Sequence, residues 1–222
     1  MTNKIKEIIS HNLEIYLEEH LTKIPEDKQD IAKEYFQKDI ERITNYFNNS
    51  DFLNDNFHLT QDFIKGFHKS LYPEGYIQKS KDNKGVEFVW MIPGEYKKIE
   101  IIARGNPNKN IYDKVEDVEN KMKKLLNNFN SKIQKNLTEK EKLDFILLFA
   151  IDFITIHPFG DGNGRLDGML LDLLYMKYGL KPLYLLRLYK QNKREFTLIL
   201  NETRKSRNLK YLYEIIEKYN VN

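Results

Sequence analysis

His157-Pro158-Phe159-Gly160-Asp161-Gly162-Asn163-Gly164-Arg165 is the stretch on which the reading of this chain turns. It is polar and glycine-rich, and it separates two strongly apolar segments, residues 143–156 and 166–174, both with helical spacing. A polar loop held between two rigid apolar helices is a favoured place for function.

Gly162 and Gly164 flank Asn163 where the second helix should begin, and there free backbone N–H groups and the positive dipole end can hold a phosphate. Arg165 falls in the first turn, the unfavourable end of that dipole for a cation, and so needs an anionic partner; Asp167 is the neighbour offered by the sequence. Taken alone, Gly-Asn-Gly is more often an ordinary tight turn. Asp161 is either an N-cap or a hard carboxylate ligand for the Mg²⁺ that accompanies nucleoside triphosphates. His157 is either a satisfied histidine at a helix end or a general base near neutral pH. Phe159 reads as a core anchor for the loop.

Outward from the loop, Thr138 and Glu141 form a capping box ahead of residues 143–156, and Gly179 with Pro182 supplies the stop after residues 166–174. Apolar residues at helical spacing also mark two amphipathic helices in the first fifty residues: Ile5, Ile8, Ile9, Leu13, then Ile31, Tyr35, Ile40, Ile43 and Phe47. A further helix is expected after the cap Thr60, another over Val115–Phe129, and two short ones over Arg194–Thr203 and Leu209–Tyr219. Val86, Phe88 and Trp90 alternate, Pro93-Gly94 follows, and Ile99, Ile101 and Ala103 alternate again, which predicts one β-hairpin turning near Gly94. The fold expected is mainly α, a helical bundle with one small hairpin.

Bulk properties narrow the function. The 222 residues, 41% hydrophobic, suffice for one sizeable core. Lys and Arg number 36 against 33 acidic residues, interspersed, so the net charge of +3 is no nucleic-acid footprint. Without cysteine, disulfides, thiolate metal sites and cysteine nucleophiles are excluded, and a reducing cytoplasmic setting fits. The first ten residues have no continuous apolar core and do not read as a signal peptide. The longest apolar run, Phe145–Ile156, is well short of the ~20 residues needed to span a bilayer, so no membrane partner is expected. None of the five histidines, His11, His20, His58, His68 and His157, is paired at zinc-motif spacing.

The nine residues together match the pattern His, any, Phe, any, Asp or Glu, Gly-Asn-Gly-Arg, and by it the chain resembles the Fic family. The resemblance implies a Fic-type helical bundle, with residues 1–55 as an N-terminal helical extension and 56–222 as the catalytic domain. It further implies a nucleotidyltransferase that moves AMP from ATP to a Ser, Thr or Tyr hydroxyl of a protein substrate. By carry-over His157 is the general base and Asp161 holds Mg²⁺. Gly162, Asn163 and Gly164 then cradle the phosphates while Arg165 grips the leaving one. The run Gly94-Glu95-Tyr96-Lys97 resembles the family's flap, in which Gly94, Tyr96 and Lys97 would dock the target main chain; Lys97 replaces the usual Arg.

One departure weakens that inference. The family's pattern places a second Arg, which meets the γ-phosphate, where this chain has Gly168, and Arg187, Lys190 or Lys193 would have to substitute. Another donor such as UTP, phosphoryl transfer, or a catalytically silent nucleotide- or protein-binding module therefore stays open. The family's inhibitory helix motif fits Ser70–Gly75 only across Pro73, and Ser10–Ile15 only in part. Restraint is thus expected from the N-terminal helices or from a separate inhibitory partner chain.

Overall fold

A computed structural model of the chain describes residues 2–82, 85–101 and 112–219. Among them the architecture is a helical bundle with one two-stranded antiparallel hairpin. Helices α1 (Thr2–Leu21) and α2 (Gln29–Asn48) pack on each other, joined through Pro25 and a single turn at Glu26–Lys28. The periodicity of α2 is real but only its second half is core: Ile40, Ile43 and Phe47 are buried, whereas Ile31 and Tyr35 are exposed. Helix α3 (Gln61–Leu71) starts where Thr60 Oγ1 accepts the Phe63 N–H at 3.1 Å.

The hairpin is β1 (Tyr76–Asp82) with β2 (Gly85–Met91), in the register Tyr76 opposite Met91. This corrects the expected pairing. The alternating run Val86–Trp90 is a strand, but its partner precedes it, and Pro93-Gly94 lies beyond the hairpin. The partner was illegible because β1 is polar, and because Ile77, Phe88 and Trp90 are exposed, so alternation does not track burial here. Ile101 carries no strand, and Ala103 lies outside the described residues.

Helix α4 (Val118–Ile133) covers α5 (Glu139–Ile156), whose start carries both halves of the capping box. Helix α6 (Asn163–Lys177) runs through the core with Leu166, Met169, Leu170, Leu173, Leu174 and Tyr175 buried. Gly179, at φ 78°, ends it in a Schellman motif, with Leu180 N–H on Tyr175 O at 2.8 Å and Gly179 N–H on Met176 O at 3.2 Å. Helix α7 (Leu185–Gln191), not expected from the sequence, follows directly; α8 (Lys193–Ser206) and α9 (Lys210–Lys218) complete the bundle. One buried cluster takes residues from α1, α2, α5, α6 and α9 alike.

α1 is tied to α6 by a buried polar clamp. Asn12 Nδ2 donates to Asp172 Oδ2 at 2.8 Å and to Ile8 O at 3.1 Å, and Asp172 Oδ1 accepts the N–H groups of Leu183 and Tyr184 at 2.9 and 3.0 Å. Burial raises the Asp172 carboxyl to about 6, against the hydrogen bonds that favour its charge. The clamp sets how closely α1 and α7 approach the middle of α6.

Candidate active site

The loop 157–162 is held by its own polar groups. His157 ends α5 in the left-handed region, φ 51°, with its N–H on Phe153 O at 3.1 Å. Phe159 is fully buried, as expected of an anchor, and its ring stacks on His68 at 4.0 Å between centroids. The Asn163 side chain does not face outward: it closes the loop, with Oδ1 accepting Phe159 N–H at 2.9 Å and Nδ2 donating to Phe159 O at 2.7 Å. Asn163 can therefore offer an anion only its backbone.

Gly162, at φ 79°, is the N-cap of α6, and no side chain caps that helix. A Cβ there would lie 2.7 Å from the Tyr72 ring, so both backbone angle and space require glycine. Uncapped first-turn N–H groups at the start of a 15-residue helix are an anion-binding feature. A Cβ on Gly164 would meet the Tyr16 hydroxyl at 3.4 Å, so α1 reaches over this helix start.

Asp161 is exposed, and its carboxylate accepts the Tyr72 hydroxyl at 2.8 Å and Gly162 N–H at 2.7 Å. Arg165 lies 3.8 Å from Asp161 Oδ2, bonds the Tyr72 hydroxyl, and sits between the rings of Tyr72 (4.9 Å) and Tyr16 (5.5 Å). Its anionic neighbour is thus Asp161, not Asp167, because residues two apart on a helix face different ways. Asp167 instead lines a cavity, where burial pushes its carboxyl well up.

That cavity, about 680 Å³, is lined by His157, Gly164, Asp167 and Gly168, by Tyr16 and Glu19 of α1, and by Lys190 and Arg204 of α7 and α8. His157 stacks on Tyr112 at 3.8 Å and turns Nδ1 to the Ile154 carbonyl at 3.4 Å. With the proton on Nδ1, Nε2 keeps a lone pair. Burial, then the nearby Lys97 ammonium, lowers its pKa to about 3, so the imidazole is neutral at physiological pH.

The run Gly94–Lys97 is built into the site rather than held free beside it. Gly94, at φ 84°, donates its N–H to His68 Nδ1 at 2.9 Å. The Tyr96 hydroxyl donates to Gln61 Oε1 at 2.9 Å and its ring packs on Phe159. Lys97 is 2% exposed, its Nζ donating to Asp113 O at 2.6 Å and Ile156 O at 3.5 Å, and its N–H to Pro158 O at 2.8 Å. Its ammonium braces the end of α5.

Sequence reasoning passed over His68, Tyr16 and Arg204. Buried His68 accepts from Gly94 and donates Nε2–H to Asp161 O at 3.3 Å, joining α3, the 94–97 run and the loop, and burial lowers it to about 4. Nothing local in the sequence marks these three, since each acts on residues far away in the chain. Among the described residues no three His, Cys, Asp or Glu side chains gather to hold a metal, and no helix is long and apolar enough to cross a membrane.

His157 and the Gly164 end of the uncapped α6 start line one cavity, whereas Asp161 and Arg165 stand at that helix start outside the cavity lining. The Fic/DOC family model matches residues 58–175, and the chain belongs to that family, whose members generally transfer nucleotide or phosphate groups to proteins. Among solved structures the fold is similar to a Fic-domain-containing signalling protein from Bacteroides thetaiotaomicron, at 18% identity and TM-score 0.58 over 83% of this chain and 67% of that one. It is also similar to Fic-1 from C. elegans, at 15% identity and TM-score 0.55 over 84% of this chain and 49% of that one. No curated protein matches the sequence.

Proposed function

We propose that the protein is a nucleotidyltransferase that moves AMP from ATP onto a Ser, Thr or Tyr hydroxyl of a protein substrate. The observation that carries this reading is the neutral His157 imidazole in the same cavity as the uncapped start of α6 at Gly164. His157 Nε2 takes the proton of the target hydroxyl as its oxygen attacks the α-phosphorus. The bond from that phosphorus to the bridging oxygen breaks, and pyrophosphate leaves. A positioned base contributes ~10²- to 10⁴-fold in rate. The backbone N–H groups at Gly164 and Arg165 and the Arg165 guanidinium receive phosphate oxygens.

Asp161 fits a Mg²⁺ role, because Mg²⁺ in such sites takes one or two carboxylates with phosphate oxygens and water, and its carboxylate is exposed beside the helix start. Mg²⁺ held there would neutralise charge developing on the leaving pyrophosphate. Tyr16 over Gly164, and the Glu19–Lys190 pair in the cavity wall, favour restraint by the N-terminal helix α1 over a separate inhibitory chain.

The test is intact-mass analysis of lysate proteins incubated with each of the four nucleoside triphosphates. An adenylyl mass increment from ATP, lost in His157→Ala, is expected. Full activity of that variant refutes the base; a uridylyl or phosphoryl increment replaces the donor; triphosphate binding without transfer supports the silent module instead.

A further inference from the structure

Among the described residues, four cations line the cavity: Arg187, Lys190, Lys193 and Arg204. Arg187 and Lys193 are exposed at the rim. Lys190 is already engaged, bonded to Glu19 and lying 4.2 Å over the Tyr16 ring, and that bond, with Lys23, pulls the Glu19 carboxyl down to about 2. Arg204 differs from all three. It is drawn inward at the end of α8, its Nη1 donates to the neutral Asn201 Oδ1 at 3.1 Å, and its Nε is buried with no acceptor among the described residues. Among the described residues no carboxylate reaches salt-bridge distance of it. It lines the same cavity as His157, Asp167 and Tyr112, and it interacts electrostatically with each of them. Burial also lowers its own pKa.

An inward guanidinium with an unused donor is costly unless something anionic completes it. Gly168 makes the need specific. A Cβ there would lie 3.1 Å from Asn12 Oδ1 and 3.2 Å from Leu186 Cβ, so α1 and α7 occupy the space that a long cation at 168 would take.

We propose that Arg204 is the cation that grips a phosphate of the polyphosphate ligand in this cavity, doing from α8 what position 168 of α6 cannot do. The inference rests on the polyphosphate reading above, and its test separates the two. The Arg204 guanidinium is a planar donor group whose shape suits phosphate oxygens.

Binding is measured by calorimetry with three probes: ATP, inorganic tripolyphosphate and adenosine. The variants are Arg204→Gln, and Asn201→Asp, which sets a carboxylate against the guanidinium and leaves it in place should Arg204→Gln fold poorly. Both should weaken ATP and tripolyphosphate about ten- to a hundredfold while leaving adenosine unchanged. Tripolyphosphate binding that depends on Arg204, without ATP binding, upholds the cation and sinks the nucleotide donor. Wild-type affinity for both polyphosphates in Asn201→Asp and folded Arg204→Gln overturns the proposal and spares the donor. No polyphosphate binding by the wild type overturns both.

Discussion

Replacing Gly168 by arginine would restore the residue that the family pattern expects, and it should cost the protein stability rather than improve its site. Alanine isolates the first atom. In a helix interior, Gly→Ala gains ~1 kcal/mol of propensity. Against that, the new Cβ meets Asn12 Oδ1 at 3.1 Å and Leu186 at 3.2 and 3.3 Å. Neither neighbour can yield easily: Asn12 is fixed by Asp172 and Ile8 O, and Leu186 is buried. Overpacking of this kind costs ~1–3 kcal/mol, so Gly168→Ala should be neutral to destabilising by ~2 kcal/mol. Gly168→Arg adds the rest of a long side chain, from Cγ to the guanidinium, and a charge in the same gap, and should lose ~3 kcal/mol or more by parting α1 from α6. For a domain of this size that is a fall in Tm of ~6–12 °C. Urea unfolding and a thermal scan on both variants measure it. A Gly168→Arg protein as stable as the wild type would show that α1 and α7 do not close that space, and with it the need for Arg204 would go.

Two further outcomes follow from the same geometry. Burial holds His68 at about 4 in the folded chain against 6.5 unfolded, so its contribution is present above pH 6.5 and lost as pH falls toward 4; the stability advantage of wild type over His68→Gln should shrink by ~3 kcal/mol between pH 7.5 and 4, read from urea midpoints. The raised carboxyls Asp167 and Asp172 oppose this trend but are common to both chains, so an unchanged difference would contradict the assignment. Tyr16→Ala should uncover the start of α6 and tighten tripolyphosphate binding severalfold; weaker binding would mean that Tyr16 supports Arg165 instead of covering the site.

Much of the bundle was legible because periodicity and caps are local. The spacing of Ile5, Ile8 and Ile9 marks α1, Thr138 with Glu141 marks the start of α5, and Gly179 marks the end of α6. The hairpin was half legible. Val86–Trp90 carries strand residues, but its partner Tyr76–Asp82 is polar, and register is a property of two segments at once. Helix α7 was missed because Pro182 reads as a stop, while the helix is one short turn further on, led by Tyr184 in the left-handed region.

By itself the sequence determined which residue types stand in the loop from His157 to Arg165 and that two apolar helices hold it, since those are facts of spacing along one segment. Which way each side chain turns was decided only in three dimensions. Asn163 closes the loop on Phe159, Lys97 is buried under α5, and Arg165 pairs with Asp161, each because the lowest-energy partner for its polar atoms comes from packing. The cavity wall is the clearest case. Gly168, Tyr16, Lys190 and Arg204 lie far apart in the chain, and only the approach of α1, α7 and α8 to α6 makes them one surface.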